Sequence, residues 1–236
     1  MTRKLKTLPI LLLTIFAFAL SSCNDAPTDV ETEEYFPDGT RFDIVTLVEN
    51  NDKGSVFEFR KDGDSPLITL TSERKLDEKE VKVGQRIMIA YVPLSGVSYV
   101  SGSIDLIAYR SVFNGNIVID KVSDWKLTHE QRVTFINRSG NYINVSAEIY
   151  VQNEPKVYNL VLDEKTLDNE YPQAYIIYLP DSDLNGTMKT GYASWDISSV
   201  WALGTCKGLK ITWVDENGYT QTRTFDKDQQ QVKPAE

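Results

Sequence analysis

From Arg41 onward, apolar residues alternate with polar ones or run in short clusters, and Gly, Pro, Asn or Asp interrupts them about every 8 to 12 residues. Only a chain of short strands suits that punctuation. Segments 43–49, 55–60, 67–71, 86–91 and 103–109 read as five strands, with Pro66 and Pro93 at strand margins where a missing donor costs little. A second set, 132–137, 142–152, 156–162, 174–179, 191–199, 208–214 and 219–225, reads as seven longer ones. Ser139-Gly140-Asn141 and Glu216-Asn217-Gly218 are hairpin signals, because Gly and Asn tolerate the positive φ of tight turns. Helical periodicity is nearly absent. Residues 73–80 are charged and allow at most a short turn, and Thr128 to Gln131 reads as a loop or one helical turn. The expected fold class is all-β: a five-stranded OB-like barrel over residues 41–113, then an immunoglobulin-like β-sandwich over 114–236. The break is expected near residues 111 to 116, where Asn114-Gly115 reads as an accessible joint open to proteolysis.

The chain opens differently. Arg3, Lys4 and Lys6 precede an apolar run from Leu8 to Leu20, then Ser21, Ser22 and Cys23. That order is an export signal, and the run is short for a bilayer span of about 20 apolar residues. Residues 1–22 are therefore expected to be removed. Leu20-Ser21-Ser22-Cys23 resembles the bacterial lipobox, which implies that the Cys23 thiol and the new amino terminus carry acyl chains. Two or more chains hold a protein stably on its membrane. The expected address is the cell envelope, most simply the outer membrane. Residues 24–40 carry Asp25, Asp29, Glu31, Glu33, Glu34 and Asp38 with no basic side chain, the composition of a solvated tether.

The whole sequence has 25 basic and 34 acidic residues; without Arg3, Lys4 and Lys6 the mature chain has 22 against 34, a formal charge of −12. A surface of that sign repels polyanions, so nucleic acid is excluded as an expected partner. With Cys23 acylated only Cys206 is left, and no intrachain disulfide is possible.

The order of these pieces resembles the NigD-like lipoproteins of Bacteroidetes. The likeness rests on the lipobox at Cys23, on Val83-Gly84-Gln85-Arg86 leading into Ile87-Met88-Ile89-Ala90-Tyr91, on Ile104 to Tyr109 closing the first unit, and on Tyr142 to Val151 opening the second. The resemblance implies an OB domain followed by a β-sandwich, an envelope address and a link to the bacteriocin nigrescin through the operon that named the family. It implies no catalytic residue, because the family has no catalytic motif to match. Asn24-Asp25-Ala26-Pro27 departs from the acidic surface-export signal that often follows the acylated cysteine in such proteins.

Chemistry-bearing residues are sparse. His129 is the one histidine and has no motif-spaced Ser, Cys or Asp; with Cys206 it falls short of a four-ligand zinc site. Asp181-Ser182-Asp183-Leu184-Asn185-Gly186 matches the start of an EF-hand-type loop, with Asp181, Asp183 and Asn185 as oxygen donors. Lys189 and Tyr192 stand where later ligands belong, so an ordinary turn is expected and no metal or cofactor. The adjacent acids Asp163-Glu164 and Asp215-Glu216 point apart on a strand and do not form a glycosidase pair. Trp125, Trp195, Trp201 and Trp213 all fall in the second unit, with Tyr171, Tyr175, Tyr178 and Tyr192. They are expected to fill its core, with Trp201, in the connection after Val200, singled out as a binding anchor. The expected function is therefore a non-enzymatic binding or assembly lipoprotein for an envelope protein or peptide. A glycan-binding lipoprotein, marked by an exposed row of aromatics, is the alternative, and a hydrolase a further one.

Overall fold

The computed structural model describes residues 36–125, 131–151, 157–179 and 187–227. Five strands come first: β1 (Arg41–Asn51), β2 (Gly54–Phe59), β3 (Ile68–Ser72), β4 (Arg86–Pro93) and β5 (Gly102–Ser111). They close into a barrel in the order β1-β2-β3-β5-β4, with β4 returning to β1 and the β3/β5 ladder parallel. This is the strand order of an OB fold. Alternation supplies the core, because Val45, Leu47, Phe57, Phe59, Ile68, Leu70, Ile87, Ile89, Tyr91, Ile104 and Leu106 all turn inward. One end of the barrel is plugged by Leu76 and Val81 from the β3–β4 connection. The Asn50 side chain sets that plug: its Oδ1 accepts from the Leu76 N–H at 2.9 Å and its Nδ2 donates to the Leu76 carbonyl at 3.1 Å.

After Val112 the chain builds a β-sandwich. Its strands are β6 (Phe113–Asn116), β7 (Val118–Asp120), β8 (Arg132–Ser139), β9 (Tyr142–Val151), β10 (Val157–Asp163), β11 (Gln173–Leu179), β12 (Thr187–Asp196), β13 (Gly208–Val214) and β14 (Thr220–Asp226), with a single turn of helix α1 (Ser198–Trp201) before β13. One sheet runs β14-β13-β11-β10-β7 and the other β6-β12-β9-β8. The β6/β12, β7/β10 and β11/β13 ladders are parallel. The two sheets meet over one apolar core centred on Trp195, Ile143, Leu160 and Ile211.

Asn114-Gly115 lies in the edge strand β6 and not in an open turn, with Asn114 itself exposed. Val112 between β5 and β6 is buried, and the Asn114 side chain accepts from the Arg86 N–H at 2.8 Å and donates to the Arg86 carbonyl at 2.9 Å. Gly115 pairs with Trp195 across the ladder, and a Cβ there would sit 3.0 Å from the indole. The glycine makes room for tryptophan. Residues that suggest a turn serve here as an edge strand.

Barrel and sandwich are fastened along a polar seam. The buried Arg86 guanidinium donates to the Ile44 carbonyl, Thr46, Asn144 and Ser194, and lies 4.5 Å from the centre of the Tyr142 ring. Desolvation, partly offset by Tyr142, lowers its pKa to about 10, so it stays charged at neutral pH. Further along, the Arg138 guanidinium makes a two-pronged contact with Asp64 at 2.9 and 2.6 Å. That contact holds the Asp64 carboxyl below the usual carboxylate range. Main-chain bonds from Gly63 N–H to the Arg138 carbonyl, and from Gly140 N–H to the Gly63 carbonyl, complete the seam.

Candidate functional site

The most distinctive exposed surface is the barrel end opposite the Leu76 plug. Pairing of Arg41 with Tyr91 puts the start of β1 beside the end of β4, and the parallel pairing of Leu70 with Gly102 brings the starts of β3 and β5 to the same end. The β4–β5 loop, residues 94–101, forms its rim. Gly96 takes φ 71° in a turn closed by its N–H on the Pro93 carbonyl. Ser101 accepts from the Thr69 N–H at 2.9 Å, and Ser98 accepts from Arg41 Nε at 2.9 Å. Pinned at these points, the loop leaves Leu94, Val97 and Val100 with 66, 55 and 54% of their surfaces exposed. Phe42 and Leu67 are exposed at the same end, and Phe36 packs edge-on against Phe42 with ring centroids 4.9 Å apart.

Tyr99 is the one non-glycine residue among those described with positive φ, at 60°. Such backbone costs about 1–3 kcal/mol and persists only where the surroundings impose it. Lys61 Nζ lies 4.5 Å from the centre of its ring and the Arg41 guanidinium 5.8 Å away. Below it, Tyr91 donates to Asp43 Oδ2 at 2.9 Å. Burial pushes the Asp43 carboxyl up to about 6, against the opposing pull of the Tyr91 hydrogen bond and of Arg41 and Lys61. Burial and the Asp43 carboxylate push the Tyr91 phenol up as well, with Tyr99 adding to the rise.

A raised carboxyl pKa means that the folded chain holds this proton more tightly than the unfolded one. Asp43 therefore weakens the fold progressively as pH rises from about 4 to about 6, and the full penalty remains above that. Asp43→Asn keeps the acceptor for Tyr91 and removes the charge. It should stabilise the protein at about pH 8 by roughly 1–3 kcal/mol, the upper figure being the shift converted at about 1.4 kcal/mol per unit, and the gain should vanish below about pH 4. Urea unfolding at the two pH values checks this; equal effects at both would show that the buried charge is not the cause.

The structure treats the residues singled out in the sequence unequally. Cys23, His129, and the turn with Asp181, Asp183 and Asn185 lie outside the described residues. Trp201 is not a surface anchor: at 7% exposure it belongs to the sandwich core. The connection after Val200 is not an open loop. Residues 198–201 wind into α1, the Trp201 N–H donates to the Ile197 carbonyl at 2.8 Å, and the ring is covered by the Arg138 guanidinium at 4.5 Å. Trp195 and Tyr178 are buried too, and Trp125, Trp213, Tyr175 and Tyr192 are half-buried, so no exposed aromatic row forms among them. Cys206 is buried, its thiol donating to the Gly208 carbonyl. Among the described residues no three His, Cys, Asp or Glu side chains gather as a metal site. Sequence reading missed the 94–101 rim, although Leu94, Val97 and Val100 at every third place in a Ser- and Gly-rich loop were its signal.

A second exposed feature lies on the sandwich. β14 has β13 as its only strand neighbour among the described residues, and Thr220 to Thr224 are all exposed. Its start is held by Asp215, whose Oδ1 accepts from the Asn217 and Tyr219 N–H groups and whose Oδ2 accepts from Gln221. Tyr219 stands at this tip, 68% exposed. The other end of β14 meets the seam, where the Asp226 carbonyl accepts from Arg138, so the tip lies about 20 Å away along the strand.

No family model and no curated protein matches the sequence. Solved structures do resemble it. A protein of unknown function from Bacteroides vulgatus is 18% identical with a TM-score of 0.60, over 79% of this chain and 90% of that one. A NigD-like immunity protein from Bacteroides caccae is 14% identical with a TM-score of 0.54, over 82% of this chain and 100% of that one. A candidate lipoprotein from Bacteroides fragilis is 11% identical with a TM-score of 0.55, over 80% and 98%. Identities this low speak for shape alone, and in shape this chain resembles the NigD-like immunity protein and the two other Bacteroides structures.

Proposed function

We propose that this protein is a NigD-like envelope lipoprotein, anchored through acylated Cys23, that binds a protein or peptide partner without catalysing a reaction. The observation that supports the reading is the edge of β14 that no strand among the described residues pairs with. An edge strand offers a row of main-chain donors and acceptors, and proteins that must stay free of partners blunt such edges with proline, lysine or a bulge. β14 carries none of these. Its sequence is Thr-Gln-Thr-Arg-Thr-Phe-Asp, and its single charged cation, Arg223, is occupied with the Ile136 carbonyl. An extended segment of a partner adds to such an edge through its backbone, with Tyr219 as a side-chain anchor beside it. The partner class is an envelope protein or a secreted bacteriocin-like peptide, the latter in keeping with the description of the Bacteroides caccae protein as an immunity protein.

The test is photo-crosslinking in intact cells, with the reactive group at Tyr219 and a control at Lys53 in the β1–β2 turn. A defined adduct at Tyr219, absent at Lys53, is expected, while Cys23→Ala lowers the share of the protein held in the membrane fraction and leaves only the weaker, acyl-independent binding. Equal, diffuse labelling at both positions would sink the edge reading. Turnover of a glycan or peptide by purified protein, abolished by one carboxylate or hydroxyl substitution that leaves the fold intact, would sink the non-catalytic reading.

A further inference from the structure

The geometry points to the 94–101 end of the barrel as a membrane-docking surface, which seats the body on the phospholipid bilayer that holds its anchor. The inference rests on the lipoprotein reading for the anchor, and on the barrel itself for the surface. Thirteen residue steps separate Cys23 from Phe36. Even fully extended they span about 45 Å, and any slack shortens that reach. The described chain begins at Phe36, which packs on Phe42 at this same end of the barrel. The end that carries the exposed aliphatics is therefore the end that the anchor pulls toward lipid.

Its chemistry fits that neighbour. Leu94, Val97 and Val100 project from one pinned loop, with Phe42 and Leu67 beside them. A soluble surface rarely gathers so much exposed apolar side chain without a use. Arg41 and Lys61 flank Tyr99, and although both act on the Asp43 carboxylate from a distance, neither forms a direct ion pair with a carboxylate among the described residues. Long cationic side chains beside an aromatic ring are what an interface of acyl chain and phosphate favours, since the stems lie in the apolar layer and the charges reach the headgroups. The imposed backbone at Tyr99 keeps the loop in the shape that turns its aliphatics outward. Docked this way, the barrel occupies the membrane and leaves the sandwich edge for a partner, so the two modules have separate work.

The test uses vesicles of phosphatidylethanolamine and phosphatidylglycerol and the mature chain in two forms, acylated and Cys23→Ala. An environment-sensitive dye on Val97→Cys of the acylated form should shift to the blue and be quenched by brominated lipid, while the same dye on Asn217→Cys should report water. The Cys23→Ala chain lacks acyl groups, so its flotation reports the rim alone. Leu94→Asp with Val97→Asp should lower that flotation at least tenfold without changing thermal unfolding, because both side chains are on the surface. A dye at 97 that reports water in the anchored protein, or a double variant that floats as its parent does, overturns the proposal. So does a dye that is shielded only when envelope protein is added, because the occupant is then a protein. If the wild-type chain gains no acyl group in cells, the lipoprotein reading fails by itself, and the rim still stands or falls on the Cys23→Ala flotation.

Discussion

Gly54→Ala should cost about 3 kcal/mol or more, among the largest losses from adding a single methyl group to this protein. Gly54 opens β2 at φ 119°, a backbone that L side chains rarely adopt. A Cβ there would lie 2.0 Å from the Ser72 carbonyl oxygen and 2.9 Å from the Glu73 backbone. Those atoms cannot retreat cheaply. Ser72 belongs to β3, and Ser55, which follows Gly54, is buried with its hydroxyl donating to the Arg74 carbonyl at 2.8 Å. The clash would push apart the turn that carries Leu76 to the barrel plug. Gly84 is the control, because it also has positive φ, 88°, but an added Cβ meets nothing within 4 Å. Gly84→Ala should cost only about 1 kcal/mol, the backbone penalty alone. Urea midpoints of the two variants separate the effects, and equal losses would show that the close approach to β3 does not matter.

Trp201→Ala should cost about 3–5 kcal/mol, the range for removing a buried aromatic side chain. The ring belongs to the sandwich core, in one cluster with Val200, Cys206 and Phe225, and one of its faces supports the Arg138 guanidinium that clasps Asp64 of the barrel. The loss should therefore loosen the seam as well as the core. Hydrogen exchange should show it in the protection of the Gly63 and Gly140 amides, which bridge the two modules. Trp201→Phe, which keeps a ring under the guanidinium, should recover much of the stability. A Trp201→Ala protein within about 0.5 kcal/mol of wild type would contradict the burial and return the residue to the surface.

Much of the architecture was legible because strand alternation is a local property. Val45 and Leu47, Phe57 and Phe59, and Ile87 and Ile89 declare their inward face at a period of two, whatever they later pair with. The hairpin at Gly140 was equally readable, since its φ of 59° is a demand that few residues meet. Strand edges and edge strands were not. Segment 113–120 is too short and too rich in Asn and Gly to read as structure, and it becomes two edge strands only because Trp195 and Val161 stand across from it. The extension of β12 through Ser199 failed for a similar reason: Ser198 caps back on Asp196 Oδ1 at 2.7 Å and starts a helical turn instead.

Trp201 illustrates the division for the candidate site. A tryptophan after a strand reads equally well as an anchor or as core, and only the long-range placement of Arg138 and the two sheets buries it. The rim is the converse case. Leu94, Val97 and Val100 look like ordinary loop residues until pairing of β4 with β1, and of β3 with β5, sets them at the barrel end where the chain arrives from Cys23. Asp43 likewise reads as one more acid among 34, and its raised pKa arises from burial beside Tyr91. By itself the sequence determined the strands, their inward faces, the tight turns and the order of the two β units, because these follow from side-chain period and backbone torsion within a few residues. Tertiary structure alone decided which aromatics are buried, which strands lie at the sheet edges among the described residues and which carboxyl is perturbed, because exposure and desolvation depend on residues far away in the chain.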